Sequence, residues 1–179
     1  TLDGTRIDYP ILQGEDNLSY INTDVYGSFA LAGSIFLDSR CDNTFHDAYA
    51  LVYGHHMDNG RMFGDLDKYK EGKFFGENSA GALILPDRSY KLEIFACMLV
   101  PAAEGMIFDT HMRQTDIGGL LDFAEAEAVH LRPDTVEAAR GAESPQIIAL
   151  STCSSEYTDA RTIVLAYMTP YTTETQVGG

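Results

Sequence analysis

Short apolar runs separated by turn residues constrain the fold of this chain more than any other feature. Each run has the length of a β-strand, and most are rich in Ile, Val, Leu and aromatic residues, as strands are. Seven such runs occur, at residues 7–12, 34–37, 50–53, 82–85, 90–100, 146–150 and 162–167. Because few helical segments lie between them, seven or eight strands predict a mostly β protein with short helices. We expect a closed or nearly closed barrel rather than a doubly wound sheet.

Two segments interrupt the strand pattern with helical spacing. Residues 62–69 form a short candidate helix. Residues 116–131 carry the stronger pattern, since apolar side chains recur there on one helical face. Thr115 or Asp116 can cap this helix, and Pro133 is expected to end it.

Length and charge limit the classes of protein to which the chain can belong. With 179 residues, of which 45% are hydrophobic, it can form one domain with a sizeable core. Its 12 basic residues stand against 27 acidic ones, a net charge of −15, which argues against binding to nucleic acid or to anionic lipid. No apolar run approaches the roughly 20 residues that a membrane-spanning helix needs.

The stretch from residue 146 to 168 reads as two apolar strands joined by a short polar loop. Cys153 stands where the first strand gives way to the loop, whereas a buried structural cysteine normally lies inside an apolar run. Arg161, eight positions further on, opens the second strand. If the two strands are antiparallel neighbours, the guanidinium lies beside the sulfur, and a fixed cation favours a thiolate. Two structural alternatives remain, because Cys153 can be a packing residue and Arg161 can neutralise Glu156 or Asp159.

A histidine that can act as acid and base lies upstream. His55 follows a short apolar strand and a glycine. Its neighbour His56 competes for the role, but adjacent strand residues point to opposite faces, so only one of them can face the thiol. Ser151 and Thr152 alternate in the same way. We therefore expect one of these two hydroxyls to face the site and the other to face the core.

Four motifs accompany these residues: I-D-Y-P-I-L-Q-G at 7–14, A-G-S-I-F-L-D at 32–38, L-V-Y-G-H-H at 51–56, and L-S-T-C at 150–153 with an arginine eight residues later. In this order they resemble the class B sortases, membrane-anchored transpeptidases of Gram-positive bacteria. The resemblance runs from about residue 7 to residue 168. It implies that Cys153 is the nucleophile, His55 the proton donor and acceptor, and Arg161 the cation that orients the substrate and stabilises an oxyanion.

The resemblance also suggests the surroundings of the site. We expect Ser151, Thr152 and Tyr157 to contact the substrate. The helix at 116–131 is expected to be the long helix between the sixth and seventh strands of a sortase barrel, where it forms a wall of the substrate groove. Many members of the class have an acidic residue directly after the cysteine, whereas this chain has Ser154.

The function implied by the resemblance is cleavage of a C-terminal sorting signal of secreted proteins through a thioester, followed by transfer of the acyl group to an amine. That amine is a peptidoglycan precursor or a lysine of a pilin. No cofactor and no metal is expected, and residues 1–179 are expected to be one catalytic domain. The membrane anchor and most of the N-terminal helical segment would lie outside this sequence, and the enzyme would work at the extracellular face of the membrane. The alternatives are a cell-surface cysteine hydrolase and a non-enzymatic surface barrel that binds a ligand.

Overall fold

The computed structural model of the protein describes residues 1–153 and 160–171, with the backbone alone for Cys153. Its strands are β1 (Ile11–Leu12), β2 (Ile35–Leu37), β3 (Tyr49–His55), β4 (Ala80–Ile84), β5 (Ser89–Pro101), β6 (His130–Leu131), β7 (Gln146–Cys153) and β8 (Ala160–Pro170). Its α-helices are α1 (Gly72–Glu77), α2 (Gly105–Phe108), α3 (Thr110–Arg113), α4 (Ile117–Glu127) and α5 (Pro133–Gly141). Each of the seven predicted runs overlaps a strand. The mostly β prediction is therefore confirmed.

All eight strands belong to one sheet with the order β1-β2-β3-β7-β8-β5-β4, and β6 pairs with β5 beyond the end of β4. The β1–β2 and β3–β7 pairs are parallel and the others antiparallel. The expectation of a closed barrel needs correction, because the sheet is open and β1 and β4 are its edges. The N-terminal residues connect these two edges: Leu2 forms a single bridge to Gly81 of β4, and Ile11 begins β1.

The predicted helix at 116–131 is shorter in the structure. Asp116 does cap it, since its side chain accepts a hydrogen bond from the Gly119 amide. The helix, α4, ends at Glu127, and the next residues turn into β6. The two residues of β6 pair with Ala96 and Cys97, beyond the part of β5 that β4 covers, and so satisfy backbone groups that would otherwise be open. Consequently α4 lies between the long strands β5 and β7, as the sequence patterns place it, and the two-residue strand β6 divides that connection.

The connection between β6 and β7 holds the nine-residue helix α5, which the sequence patterns did not predict. Pro133 is its first residue, rather than the end of the preceding helix. A proline is well tolerated there, because the first turn of a helix leaves its amide groups unbonded. The shorter predicted helix at 62–69 is present as a 3-10 helix, Gly64–Lys70, followed by α1.

Both faces of the central strands are buried, which explains their nearly continuous apolar sequences. One face, here called the inner face, packs against the 3-10 helix and α1, and the other, the helix face, packs against α2, α4 and α5. The inner face carries Val52, Leu150 and Val164, and the helix face carries Leu51, Ala149 and Leu165. In the part of the chain that the structure describes, no helix has the length and apolar character needed to cross a bilayer.

Candidate active site

Three adjacent strands in the middle of the sheet bring the sequence-predicted residues to the same end of the sheet. The parallel pair β3–β7 ends with His55 opposite Cys153. The antiparallel pair β7–β8 runs from Gln146 opposite Met168 to Ser151 opposite Ile163. Continued for two more residues, this register would set position 153 opposite position 161. The backbone thus sets His55 beside Cys153, and the continued register predicts Arg161 on the other side of Cys153, in one row across three adjacent strands.

The row belongs to the helix face of the sheet. Two residues before it, Tyr53 on β3 is paired with Ser151 on β7, and Ser151 is paired with Ile163 on β8. Ile163 lies in the core beneath the helices. Since strand positions two apart share a face, the positions of the row lie at the rim of that core.

The backbone on both sides of His55 is tightly held. A Cβ atom at Gly54 would approach the Phe63 ring to 2.7 Å and also collide with Ile35, so only glycine fits before the histidine. The Phe63 amide donates to the His55 carbonyl at 2.9 Å. These contacts and the pairing with β7 fix the end of β3 and give the Y-G-H motif a physical reason.

The imidazole of His55 has one hydrogen bond, between its Nε2 and the carbonyl oxygen of Ile21 at 2.6 Å. A carbonyl only accepts hydrogen bonds, so Nε2 carries the proton. In the neutral ring Nδ1 is then the basic nitrogen, and no described residue is hydrogen-bonded to it. The ring is thus oriented by one nitrogen while the other remains available for proton transfer.

Arg161 is the second residue of β8, and its backbone is paired with Val100 of β5. Its half-buried side chain lines a cavity of about 290 Å³ on the helix face. Within residues 1–153 and 160–171, no carboxylate lies within salt-bridge distance of this guanidinium. The alternative partners considered for it, Glu156 and Asp159, lie outside the described residues.

The cavity that Arg161 lines is bounded by residues from six separate parts of the chain. Its described lining consists of Asn17, Leu18, Ile21, Phe36, Arg40, Tyr53, Ala102, Phe108, Ser151, Thr152 and Arg161. Ile21, whose carbonyl orients His55, links the cavity to the imidazole. Phe108 comes from α2, and no residue of α4 belongs to this lining.

One wall of the cavity is a hydrogen-bonded network around Asp38, whose side chain is fully buried. Arg40 binds both carboxylate oxygens, each at 2.8 Å, and the Tyr53 hydroxyl and the Asn17 amide donate to Oδ2 at 3.0 and 2.9 Å. Burial raises the pKa of Asp38, but the hydrogen bonds from Arg40 and Asn17 and the charge of Arg40 outweigh it, so the pKa lies below its ordinary value. The carboxylate therefore stays ionised and holds three cavity-lining side chains in place.

The sequence patterns did not reveal this wall. The position of Tyr53 could have been predicted, because it lies two residues before His55 on the same strand and so shares its face. No sequence pattern indicates that Asn17 and Arg40 belong to the site. Their meeting with Asp38 depends on a loop packing against a strand, and no local pattern encodes that contact.

The two hydroxyl residues of β7 are both buried. Ser151 shares the face of Tyr53 and donates to the Thr152 carbonyl at 3.2 Å, whereas Thr152 Oγ1 accepts a hydrogen bond from the Thr162 amide at 3.0 Å. Both residues belong to the cavity lining, although the Thr152 hydroxyl is engaged with Thr162 on the inner face. Tyr157, the third predicted substrate contact, and Ser154 lie outside the described residues.

His56 is directed to a different partner from His55. Its Nε2 lies 3.1 Å from Oδ2 of Asp67, a residue of the 3-10 helix that packs on the inner face. The two adjacent histidines therefore serve opposite sides of the sheet, as their alternation predicts.

Comparison with known proteins identifies the family of the chain. No protein-family model matches the chain. Over 156 residues, 87% of its length, the chain is 34% identical to a sortase B of Listeria monocytogenes serovar 1/2a, of which it covers 61%. A sortase B of Staphylococcus aureus is 27% identical over 167 residues, with 92% of this chain and 66% of the relative covered. The chain thus spans about three fifths to two thirds of the length of these curated relatives.

Solved structures give the same result. A Streptococcus pyogenes class B sortase involved in pilus biogenesis matches with a TM-score of 0.81 and 35% identity, covering 94% of this chain and 89% of that one. A Staphylococcus aureus sortase B–substrate complex matches with a TM-score of 0.81 and 26% identity, covering 96% and 78%. The chain belongs to the class B sortase family.

Proposed function

We propose that this protein is a cysteine transpeptidase that cleaves a C-terminal sorting signal of secreted proteins and transfers the acyl part to an amine. The observation that carries the proposal is the pairing of His55 with Cys153 at the ends of β3 and β7, with Arg161 near the start of the adjacent strand β8, which together predict one row of three residues. Paired positions in a sheet share a face, so this row supplies a nucleophile, a proton carrier and a fixed cation to one place. Of the other two thiols, burial raises the pKa of Cys41 to about 11 and that of Cys97 to about 12, which leaves both unreactive at neutral pH.

The first half of the proposed reaction forms a thioester. The Cys153 sulfur attacks a backbone carbonyl of the sorting signal, and its proton passes to Nδ1 of His55. Arg161 donates hydrogen bonds to the oxyanion of the tetrahedral intermediate. The C–N bond then breaks, and His55 gives the proton to the departing amine.

The second half transfers the acyl group. An incoming amine attacks the thioester carbon, His55 takes a proton from it, and the C–S bond breaks. The same proton returns to the sulfur, so the enzyme is regenerated and needs no cofactor. The amine is proposed to belong to a peptidoglycan precursor or to a pilin lysine, and the pilus-related S. pyogenes relative supports keeping the second possibility.

The cavity on the helix face is proposed to receive the sorting peptide, with Ser151, Thr152 and Tyr157 among its contacts. The S. aureus relative was solved with a substrate, which supports peptide binding in this family. Phe108 lines the cavity from the connection between β5 and β6. We propose that this connection, which also contains α4, forms one wall of the peptide groove. The site of action is proposed to be the extracellular face of the membrane of a Gram-positive bacterium.

Mass spectrometry of the protein incubated with a library of sorting peptides tests the proposal. We expect an acyl adduct on Cys153 and, when oligoglycine or a lysine peptide is added, a product that joins peptide and amine. A thioester that is only hydrolysed, whichever amine is present, would indicate a cysteine hydrolase instead. A protein that binds peptides but acquires no adduct would be a non-enzymatic binding module.

A further inference from the structure

The strands that carry Cys153 and Arg161, β7 and β8, are paired through backbone hydrogen bonds along most of their length, but through a side chain at the end that carries the proposed active site. Their regular pairing extends to Ser151 opposite Ile163. One step further, the Thr162 amide donates to the side-chain oxygen Oγ1 of Thr152 at 3.0 Å. The carbonyl of Thr152 meanwhile accepts a hydrogen bond from the Ser151 hydroxyl. The Thr152 side chain therefore replaces a backbone group in joining β7 to β8 directly beside the proposed catalytic row.

Thr162 is in turn bound to the 3-10 helix. Its hydroxyl donates to Oδ1 of Asp67 at 2.7 Å, a contact between residues 95 positions apart in the sequence. Asp67 Oδ2 lies 2.9 Å from the Lys70 ammonium and 3.1 Å from His56 Nε2. Burial raises the pKa of Asp67, but the hydrogen bonds from Lys70 and Thr162 and the charge of Lys70 outweigh it, so the pKa lies below its ordinary value. The acceptor for the Thr162 hydroxyl is therefore a carboxylate, and such charge-assisted bonds are shorter and stronger than neutral ones.

Three members of this network are immediate sequence neighbours of the proposed catalytic residues. His56 follows His55, Thr152 precedes Cys153, and Thr162 follows Arg161. Thr152 and Thr162 are each 4% exposed and lie on the inner face, opposite the row. A contact that holds one of these residues on the inner face also restrains the backbone of its sequence neighbour, whose side chain lies on the helix face.

Arg161 depends most on such support. On the β5 side its backbone is paired with Val100, whereas on the β7 side the regular pairing stops at Ile163. Its guanidinium has no hydrogen-bond or ion-pair partner among the described residues. The direction of this side chain must therefore come from the backbone, which Thr162 anchors one residue away.

From this geometry we infer that Thr162 and Asp67 form a positioning pair that aims Arg161 at the thiol and at the substrate carbonyl. The inference rests on the proposed function of Arg161 and names two residues that do not touch the substrate themselves. Removing the pair would leave the charge of Arg161 in place, but the orientation of its guanidinium would no longer be fixed. A misplaced donor is less effective because a rate enhancement of this kind requires fixed geometry.

The first experiment measures the pH dependence of Cys153 alkylation by iodoacetamide, which needs no peptide. Arg161→Ala should raise the midpoint by about one pH unit or more, because a nearby cation is lost. Thr162→Val, which keeps the shape of the side chain and removes its hydroxyl, should raise it by a smaller amount. Thr162→Ser should restore the wild-type midpoint. Thr169→Val, the same change on the same strand away from the edge, is the matched control and should leave the midpoint unchanged.

Adding Thr162→Val to Arg161→Ala should cause no further shift, since the proposed effect acts through the arginine. Asp67→Ala should reproduce Thr162→Val, and it replaces that variant if Thr162→Val does not fold. In peptide acylation, both variants should lower kcat by up to about 10²-fold, with little change in KM.

The outcomes separate this inference from the proposed function. If Arg161→Ala shifts the midpoint but Thr162→Val and Asp67→Ala behave like Thr169→Val, the pair is scaffold only and the inference is wrong, while the transpeptidase proposal stands. If the wild type acylates no peptide but Thr162→Val shifts the midpoint through Arg161, the positioning pair stands and the transpeptidase proposal fails. If Arg161→Ala and Thr162→Val both leave the midpoint unchanged, the role of Arg161 beside the thiol and the positioning pair are both wrong.

Discussion

At the end of the sheet that carries His55, Cys153 and Arg161, the two faces differ in how many hydrogen bonds their side chains make. On the helix face, His55 has one hydrogen bond and Arg161 has none with a described residue. On the inner face, the residues next to them form a continuous chain of bonds from Thr152 through Thr162 and Asp67 to His56 and Lys70. The chemically useful groups therefore keep unused hydrogen-bonding capacity, while the backbone that carries them is fixed from behind.

Such a site combines unused hydrogen-bonding groups with a rigid backbone. A side chain whose donors are all satisfied within the protein has none left for a substrate. A side chain without support, in contrast, does not keep the orientation that catalysis requires. Alternation along a strand solves both problems, because neighbouring residues point to opposite faces. The Asp38 network supplies a second rigid element on the substrate side.

The largest effect is expected from Cys153→Ala, which should abolish acyl transfer because the nucleophile is lost. Thermal unfolding should change little, since alanine fills most of the space of the cysteine at a strand end. Mass spectrometry of peptide products provides the measurement. Iodoacetamide at neutral pH should modify the wild type once and this variant not at all, because Cys41 and Cys97 are buried with raised pKa values. A variant that retained wild-type turnover would show that the row of three strands is not the active site.

The two histidines test the difference between the faces directly. His55→Ala should slow acylation by at least about 10²-fold, and by up to about 10⁴-fold, whereas His56→Ala should cost less than about 10-fold. The reason is that His55 is the proposed proton carrier, while His56 belongs to the network around Asp67. Single-turnover acylation rates measure both. The opposite order of sensitivity would place the proton carrier on the inner face and reverse the comparison.

Arg161→Lys sharpens the role of the cation. It should resemble Arg161→Ala more than the wild type, with a loss of about 10²- to 10³-fold in rate, as for one lost oxyanion donor. Lysine keeps the charge but not the planar pair of N–H donors. Acylation rates of the three forms decide the point. Near-normal acylation by the lysine form would show that Arg161 acts as a point charge, and the oxyanion role would have to be withdrawn.

The smallest effect on activity is expected from Asp38→Asn, whose consequence lies in stability. Losing the charge weakens the bonds from Arg40, Tyr53 and Asn17, and we expect the free energy of unfolding to fall by about 1–3 kcal/mol at pH 7. The pKa of Asp38 is lowered in the folded protein, so its contribution is complete above the ordinary aspartate pKa of about 3.9 and is lost as the pH falls below that value.

The stability difference between wild type and Asp38→Asn should therefore shrink between pH 7 and pH 3, as followed by denaturant unfolding. Asp87→Asn, at a side chain that is 70% exposed, is the matched control and should change stability by no more than about 0.5 kcal/mol. Equal effects at the two aspartates would show that the cavity wall is not held by Asp38.

Local sequence was enough to predict the strand content and the residues at the ends of β3, β7 and β8. Periodicity in short apolar runs reports secondary structure directly, and Cys153 and Arg161 are identified by the break between two runs. The motifs around His55 and Cys153 added the family. The roles of Cys153, His55 and Arg161 remain predictions, and Tyr157 lies outside the described residues.

Tertiary structure decided the features that depend on contacts between distant segments. The pairing of β3 with β7 aligns His55 with a residue 98 positions away, and a shift of one residue would have moved His55 to the other face. Likewise β6 exists because β5 extends beyond β4, although its residues fit a helical pattern by themselves. The networks of Asp38 and Asp67 could not be read from sequence for the same reason: each joins a loop or a 3-10 helix to a strand, and only the packing of the whole chain brings those groups within hydrogen-bond distance.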